Sequence, residues 1–216
     1  MRFRDRADAG RQLAQRLAVS YEGKAGIVYA LPRGGVVLGA EVARRLRMPL
    51  DLIIARKIGH PYNPEYAIGA LTERGDPVIN RLEVARVQGE WLRRHVAAER
   101  QEARRRRELY RGGREALSAT GKIAIIVDDG IATGYTMEAA IRELQGQRPA
   151  RLVVAVPVVP ASTAVKLSEE VDEVAALDAP EDYLGGVGAY YDEFPQVTDE
   201  EVIALLREAN GGAAHA

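Results

Sequence analysis

The feature that most constrains this chain is a repeated local grammar: a short apolar run, a glycine-bearing turn, then apolar residues at helical spacing. Gly26-Ile27-Val28-Tyr29-Ala30-Leu31 is stopped by Pro32 and two glycines, after which Leu38, Val42 and Leu46 recur every four residues. A second apolar run, Leu50 to Ala55, follows. Strand, turn, helix and strand in that order form a βαβ unit, which predicts parallel strands and a right-handed crossover. The pattern returns with apolar runs at Ile123 to Val127, Leu152 to Val156 and Val171 to Leu177, and with a helix carrying Met137, Ala140, Ile141 and Leu144. An α/β fold is expected: an open, doubly wound, mainly parallel sheet flanked by helices. In such sheets ligands bind at the carboxyl ends of the strands, so the loops after Leu31, Ala55, Val127, Val156 and Leu177 are where function should lie.

Composition narrows the classes. At 216 residues, 47% of them hydrophobic, the chain suits one domain over 1–216. It has no cysteine, which excludes disulfides, iron–sulfur clusters, thiolate-held zinc and a cysteine nucleophile. Thirty basic against thirty-one acidic residues leave a net charge of -1, so no overall basic excess draws nucleic acid. The charged start, Met1-Arg2-Phe3-Arg4-Asp5-Arg6, lacks the apolar stretch of a secretory signal, and the run around Leu152 to Ala161 is about half of the roughly 20 residues a membrane span needs. A cytoplasmic location with no membrane partner is expected.

Around this frame lie three further segments. Asp8 is the expected N-cap of a first helix with Leu13 and Leu17 on its inner face. An insertion of about 60–114 interrupts the sheet: Ala67 to Leu71 and Pro77 to Asn80 flank Glu73-Arg74-Gly75-Asp76 as a hairpin, and Arg81 to Tyr110 reads as one long helix with Leu82, Trp91, Leu92 and Val96 inward. Its row Arg104-Arg105-Arg106-Arg107 reads as a solvated face balanced by Glu99, Glu102 and Glu108. The ending, 210–216, is expected to fray.

The chemistry concentrates in Ile123-Ala124-Ile125-Ile126-Val127-Asp128-Asp129-Gly130-Ile131-Ala132-Thr133-Gly134-Tyr135-Thr136. A buried strand delivers two adjacent carboxylates to the ligand side of the sheet. Side by side they repel, so the pair costs stability unless a ligand, metal or cation needs it. The turn that follows opens a helix, whose unpaired N–H groups, with the Thr133 and Thr136 hydroxyls and the close approach allowed by Gly134, would enclose a phosphate. Carboxylates that accept from vicinal hydroxyls beside such a cradle describe a receptor for a ribose 5-phosphate. No Gly-Lys-Ser/Thr follows, which excludes a Walker loop, and the glycine spacing of a dinucleotide fingerprint is missing.

Four apolar residues, two acids and Ala-Thr-Gly-Tyr-Thr resemble the phosphoribosyl-pyrophosphate (PRPP) signature of the type I phosphoribosyltransferases. The resemblance implies that Asp128 and Asp129 bind the ribose 2- and 3-hydroxyls and that Ala132, Thr133, Gly134, Tyr135 and Thr136 bind the 5-phosphate. Leu31-Pro32-Arg33-Gly34-Gly35 is similar to the family's pyrophosphate loop, in which Gly34 and Gly35 present backbone amides and Arg33 supplies charge. Lys57, one of only four lysines, stands where the family commonly places a basic residue against pyrophosphate. His60-Pro61-Tyr62-Asn63-Pro64-Glu65-Tyr66 looks like the start of the family's mobile lid, and Glu65 or Glu73 would give acid–base help. The segment of about 178–198 falls where relatives place a base-binding hood, with Tyr183, Tyr190, Tyr191 and Phe194 as candidates either to stack on a heterocycle or to pack the last helix on the sheet.

The family also implies Mg²⁺, held through Asp128, Asp129 and mostly the substrate itself, and a small heterocyclic acceptor. One departure matters: Ala132 stands where 6-oxopurine enzymes carry an Asp general base, so their mechanism does not transfer and the base is not named. The same site without transferase activity, sensing PRPP or a nucleotide and using Arg104–Arg107 as a contact surface, is the alternative reading. A phosphatase-like use of Asp128 as nucleophile is poorer, because no spaced Asp-x-Asp pair is present. A homo-oligomer is compatible with this sequence, which does not fix the oligomeric state.

Overall fold

The computed structural model describes residues 1–211, with Glu65 described by its backbone alone. Five strands form the main sheet: β1 (Gly26–Ala30), β2 (Leu50–Leu52), β6 (Ile123–Val127), β7 (Arg151–Val158) and β8 (Glu173–Asp178). Their spatial order is β2-β1-β6-β7-β8, and every neighbouring pair is parallel. Parallel strands covered on both faces need apolar side chains on both, which is why these runs are continuous in the sequence. Val28, Ala30, Ile125 and Val127 face one cluster with α1 (Arg6–Tyr21), α2 (Gly34–Leu46) and α7 (Asp199–Gly211). Ile27, Tyr29, Ala124 and Ile126 face the other, with α5 (Tyr135–Gln145) and α6 (Ala161–Ser168).

The order creates one special place. From β1 the chain leaves through α2 to β2 on one side, and from β6 it leaves through α5 to β7 on the other. Winding direction therefore reverses between β1 and β6, which opens a crevice beyond their paired ends, Ala30 and Val127. The two glycine-bearing turns flank that crevice.

The insertion is a second, antiparallel sheet of β3 (Ala55–His60), β4 (Asn63–Thr72) and β5 (Val78–Ile79). Ile58, Ile68 and Leu71 pack on Val84, Val87, Trp91, Leu92 and Val96, whereas Ala70 and Val78 pack on Ala139 and Tyr135 of α5. The expected irregular lid is thus mostly strand: only Pro61 and Tyr62 form the turn. Pairing jumps from Gly59↔Ala67 to His60↔Asn63, leaving 64–66 as a bulge. Proline is tolerated at such a bulge because no ladder N–H is required there.

Other boundaries shift for local reasons. The single long helix is two, α3 (Arg81–Val84) and α4 (Gly89–Arg111), separated by an extended Gln88 before the weak helix former Gly89. Asp5, and not Asp8, caps α1, accepting the Asp8 N–H at 2.7 Å, while Asp8 supplies the acidic side chain of the first turn. Asn210, expected in a frayed end, lies in α7 and brackets the edge strand: its amide donates to the Leu50 carbonyl at 2.9 Å and its Oδ1 accepts the Leu50 N–H at 3.2 Å. The rest of that expected frayed end, 212–216, lies outside the described residues. No described helix is long and apolar enough to cross a membrane.

The arginine row on α4 is tied down. Glu102 accepts from Arg105 at 2.7 Å and Arg106 at 2.8 Å, which lowers its carboxyl to about 2. Because this folded-state value lies below the ordinary glutamate value of 4.5, the interaction stabilises the fold above that pH and is lost as the pH falls toward 2. Exposed pairs of this kind are screened by water, so Glu102→Gln is expected to cost on the order of 1 kcal/mol at pH 6. Denaturant titrations of both proteins should show the gap shrinking between about pH 6 and about pH 3; a pH-independent gap would contradict this origin.

Candidate functional site

β6 ends at Val127, and the next two residues are the acids. Asp128 turns back, its Oδ1 accepting the Asp129 N–H at 2.8 Å. Burial drives its pKa well above the ordinary carboxylate value, and the charge of Asp129 pushes the same way. Burial also raises Asp129, opposed by the guanidinium of Arg6, whose Nε donates to Asp129 Oδ2 at 2.7 Å. The side chains of Arg6 and Asp129 are only 11% and 16% exposed.

Across the crevice the turn after β1 approaches the acids so closely that it needs two glycines. A Cβ on Gly34 would lie 1.9 Å from Asp129 Oδ2, and one on Gly35 would lie 2.8 Å from the Val127 carbonyl and 2.9 Å from Asp128 Cα. The Pro32–Arg33 peptide bond in this turn is cis. Gly35 N–H is engaged by the Leu31 carbonyl at 3.1 Å. The N–H groups of Arg33 and Gly34, by contrast, find no acceptor among the described residues. The Arg33 side chain points elsewhere, donating to the Val197 carbonyl at 2.9 Å and lying 3.6 Å from Asp199.

Downstream of the acids, Gly130 adopts φ 156° and Gly134 φ 86°, values that disfavour a side chain. A Cβ at Gly130 would meet Val187 at 2.6 Å. Ile131 N–H is held by the Val158 carbonyl at 2.9 Å, which ties the loop to β7, and Glu138 N–H closes on the Gly134 carbonyl at 2.9 Å. Between them, the six N–H groups from Ala132 to Met137 have no acceptor among the described residues. Ala132 and Thr133 are exposed, Tyr135 and Thr136 half-buried. A run of open donors at the start of an 11-residue helix has the geometry that can receive an anion.

The aromatic segment expected as a hood sits beside the acids. Tyr190 and Tyr191 are each 3% exposed and belong to the main core. Tyr191 packs between Phe3 and Phe194, with ring centroids 5.5 and 4.9 Å away, and its hydroxyl donates to the Asp129 carbonyl at 2.6 Å. Tyr190 packs on Tyr183, and its hydroxyl accepts the Leu184 N–H at 2.9 Å. These two rings therefore have no free face for a ligand. Phe194 remains 36% exposed, and the Tyr183 hydroxyl is buried with no partner among the described residues. Burial lifts the Tyr183 hydroxyl to about 12, so it stays a neutral donor.

Lys57 lies opposite Ala70 on β3, on the sheet face that packs against Tyr135 and Ala139. Glu65 is in the bulge of β4. Glu73, the other acid–base candidate, is not exposed: it is held 2.8 Å from Arg107 and 3.8 Å from Arg104. No group of three His, Asp or Glu residues that could hold a metal exists among the described residues. The acid pair is a hard, two-carboxylate donor set that fits Mg²⁺ only if a ligand completes the coordination.

Residues 3–193 match the family model described as phosphoribosyl transferase domain. The chain belongs to this family. Over 216 residues it is 43% identical to two proteins of Mycobacterium tuberculosis, "Putative phosphoribosyl transferase MT0597" (strain CDC 1551) and "Putative phosphoribosyl transferase Rv0571c" (strain H37Rv). The match covers 99% of this chain and 48% of each of them, so the chain spans about half their length. A solved structure, TT1426 from Thermus thermophilus, is 45% identical with a TM-score of 0.79 over 96% of this chain and 99% of that one. A hypothetical protein from Neisseria gonorrhoeae, crystallised with bound ppGpp, shares the fold at TM-score 0.50 and 14% identity, over 97% of this chain and 99% of that one. Beside the acid pair, the residue that sequence reasoning missed is Arg6.

The glycine contacts separate two effects. Gly35→Ala forces backbone apart and is expected to cost roughly 1–3 kcal/mol in thermal or denaturant unfolding. Gly34→Ala meets side-chain atoms only, Asp129 Oδ2 at 1.9 Å and Arg6 Nε at 2.9 Å, which can yield by loosening their ion pair, so it should cost less than forcing backbone apart. Equal destabilisation by the two variants would show that the turn does not approach the acids as described.

Proposed function

We propose that the protein transfers the 5-phosphoribosyl group of PRPP to a nitrogenous base or related acceptor, releasing pyrophosphate in a Mg²⁺-dependent reaction. The observation that carries this reading is the juxtaposition, at the reversal point of the sheet, of Asp128 and Asp129 with the open N–H groups from Ala132 to Met137. One ligand satisfies both: a sugar whose hydroxyls donate to the carboxylates while its phosphate accepts from the helix start.

In this mechanism the chain binds and orients. Thr133, Gly134, Tyr135 and Thr136 grip the 5-phosphate at the positive end of the α5 dipole. Asp128 and Asp129 accept from the ribose hydroxyls and fix the ring, so that C1 lies between the pyrophosphate and the acceptor. The open N–H groups of Arg33 and Gly34 take the departing pyrophosphate oxygens, with Lys57 on the neighbouring sheet as an added positive charge. Asp128 and Asp129 would hold Mg²⁺ together with the substrate, and the bound ion would supply charge neutralisation at the pyrophosphate. The C1–O bond breaks through an oxocarbenium-like state, and the acceptor nitrogen adds from the opposite face. Phe194, which keeps an exposed edge, is the hood residue we assign to the acceptor, and Glu65 is the residue we assign to its proton.

A sensor that contacts nucleic acid through Arg104–Arg107 gains no support from the geometry. Arg105 and Arg106 are paired with Glu102, and Arg104 and Arg107 with Glu73.

Isothermal titration with PRPP and Mg²⁺ tests the reading. Binding is expected in the parent chain and is expected to fall by about tenfold or more in Asp128→Asn/Asp129→Asn, the loss of at least one charge-assisted hydrogen bond. No binding, or binding unchanged in the variant, rejects it. A screen of free bases that reads pyrophosphate release then separates a transferase from a sensor.

A further inference from the structure

We infer that Arg6 is a positioning residue of this site: it fixes the Asp129 carboxylate for contact with the sugar hydroxyls and is the guanidinium beside the pyrophosphate turn. The inference rests on the reading of Asp129 as a ribose ligand. Arg33, the arginine within the turn, faces Val197 and Asp199. Arg6 arrives from a different part of the chain. A Cβ on Gly34 would lie 2.9 Å from Arg6 Nε, so this group rests against the turn as well as against Asp129.

Its geometry is over-determined. The N-terminal segment pairs with the hood: Phe3 N–H donates to the Tyr190 carbonyl, and Asp192 and Glu193 N–H groups donate to the Phe3 and Arg4 carbonyls, each at 2.8 Å. Asp5 then caps α1, which makes Arg6 its first residue. The guanidinium lies 3.6 Å above the centre of the Phe194 ring, donates from Nε to Asp129 and from an Nη to the Pro195 carbonyl at 2.5 Å. A planar, forked cation held on an aromatic face at two donors has little rotational freedom left, and it passes that order to the carboxylate it binds. Tyr191 fixes the same residue from behind through its carbonyl. The side chain and backbone of Asp129 are therefore clamped by different elements, while among the described residues nothing comparable orients Asp128 beyond its own turn.

A residue that merely holds the fold would weaken every ligand alike. Arg6 acting through Asp129 should affect only ligands that carry the hydroxyls. Titration calorimetry on the full chain with ribose 5-phosphate, and separately with inorganic phosphate, distinguishes the two. In Arg6→Gln, ribose 5-phosphate affinity is expected to fall about tenfold or more with phosphate affinity unchanged, and Arg6→Lys, which keeps the charge but loses the planar fork stacked on Phe194, should recover only part of the loss. Adding Arg6→Gln to Asp129→Asn should produce no further loss. Phe194→Leu, which loosens the guanidinium without deleting it, should show the same selective loss in smaller measure and serves if Arg6→Gln does not fold. An unchanged ribose 5-phosphate affinity, an equal fall for both ligands, or additive losses in the double variant overturns the inference. Absence of ribose 5-phosphate binding in the parent chain overturns the ribose reading and this inference together.

Discussion

Two carboxylates joined to consecutive α-carbons at the end of a buried strand set the terms for everything around them. At a separation of about 4 Å and an effective dielectric of about 20, a pair of like unit charges costs roughly 4 kcal/mol, and burial removes the water that would soften it. The chain answers with elements far apart in sequence. The first turn of α1 brings Arg6, the hood brings Tyr191, and the turn after β1 gives up two side chains so that its backbone can pass beside the acids. The Arg6 ion pair and the two glycines add nothing to the core, and Tyr191, itself part of the core, directs its hydroxyl to the Asp129 carbonyl. Each makes sense only if the acid pair must remain where it is.

What the sequence reveals and what it conceals follow the range of the forces involved. β6 is readable to the residue, and so is the turn into α5, because an unbroken apolar run and a Gly-Thr turn are governed by neighbours along the chain. The crevice follows from strand order, given that β1 and β6 are adjacent. The insertion is readable as a hairpin and a helix but not in its details. Its strands extend into the supposed lid because cross-strand pairing across Pro61-Tyr62 outweighs the local signal of two prolines. Arg6 is invisible for another reason. A charged residue near the start of a chain has no local signature, and its partner lies 123 residues away. The aromatic hood shows the same limit: its four aromatic residues stand out in the sequence, yet only the fold reveals that Tyr190 and Tyr191 are packed into the core while Phe194 keeps an exposed edge.

The second sheet ties the site to the rest of the chain. One of its faces rests on α4 and the other on α5, so Lys57, opposite Ala70, is held relative to the helix whose first turn presents the open N–H groups. Buried Asp51 performs a matching task on the far edge of the main sheet. It accepts from Arg111 at 3.1 Å and from the Leu117 N–H at 2.7 Å, anchoring the return from α4 to β6. A displacement of the insertion would thus be felt at both ends of the connection that leads into the acids.

The charge layout also narrows what the crevice can accept. An anion alone is drawn to the α5 start and repelled by the acids a few residues upstream. A cation alone meets the reverse. Under the proposed function, a molecule that offers hydroxyl donors at one end and phosphate oxygens at the other matches both halves, and the fixed length of Gly130-Ile131-Ala132 sets the separation it must have. Selectivity of this kind comes from opposed fields held at a set spacing, and it weakens if either half is free to drift. On that proposal the rigidity of Asp129 is part of recognition itself, and the contacts that immobilise it come from elements at both ends of the chain.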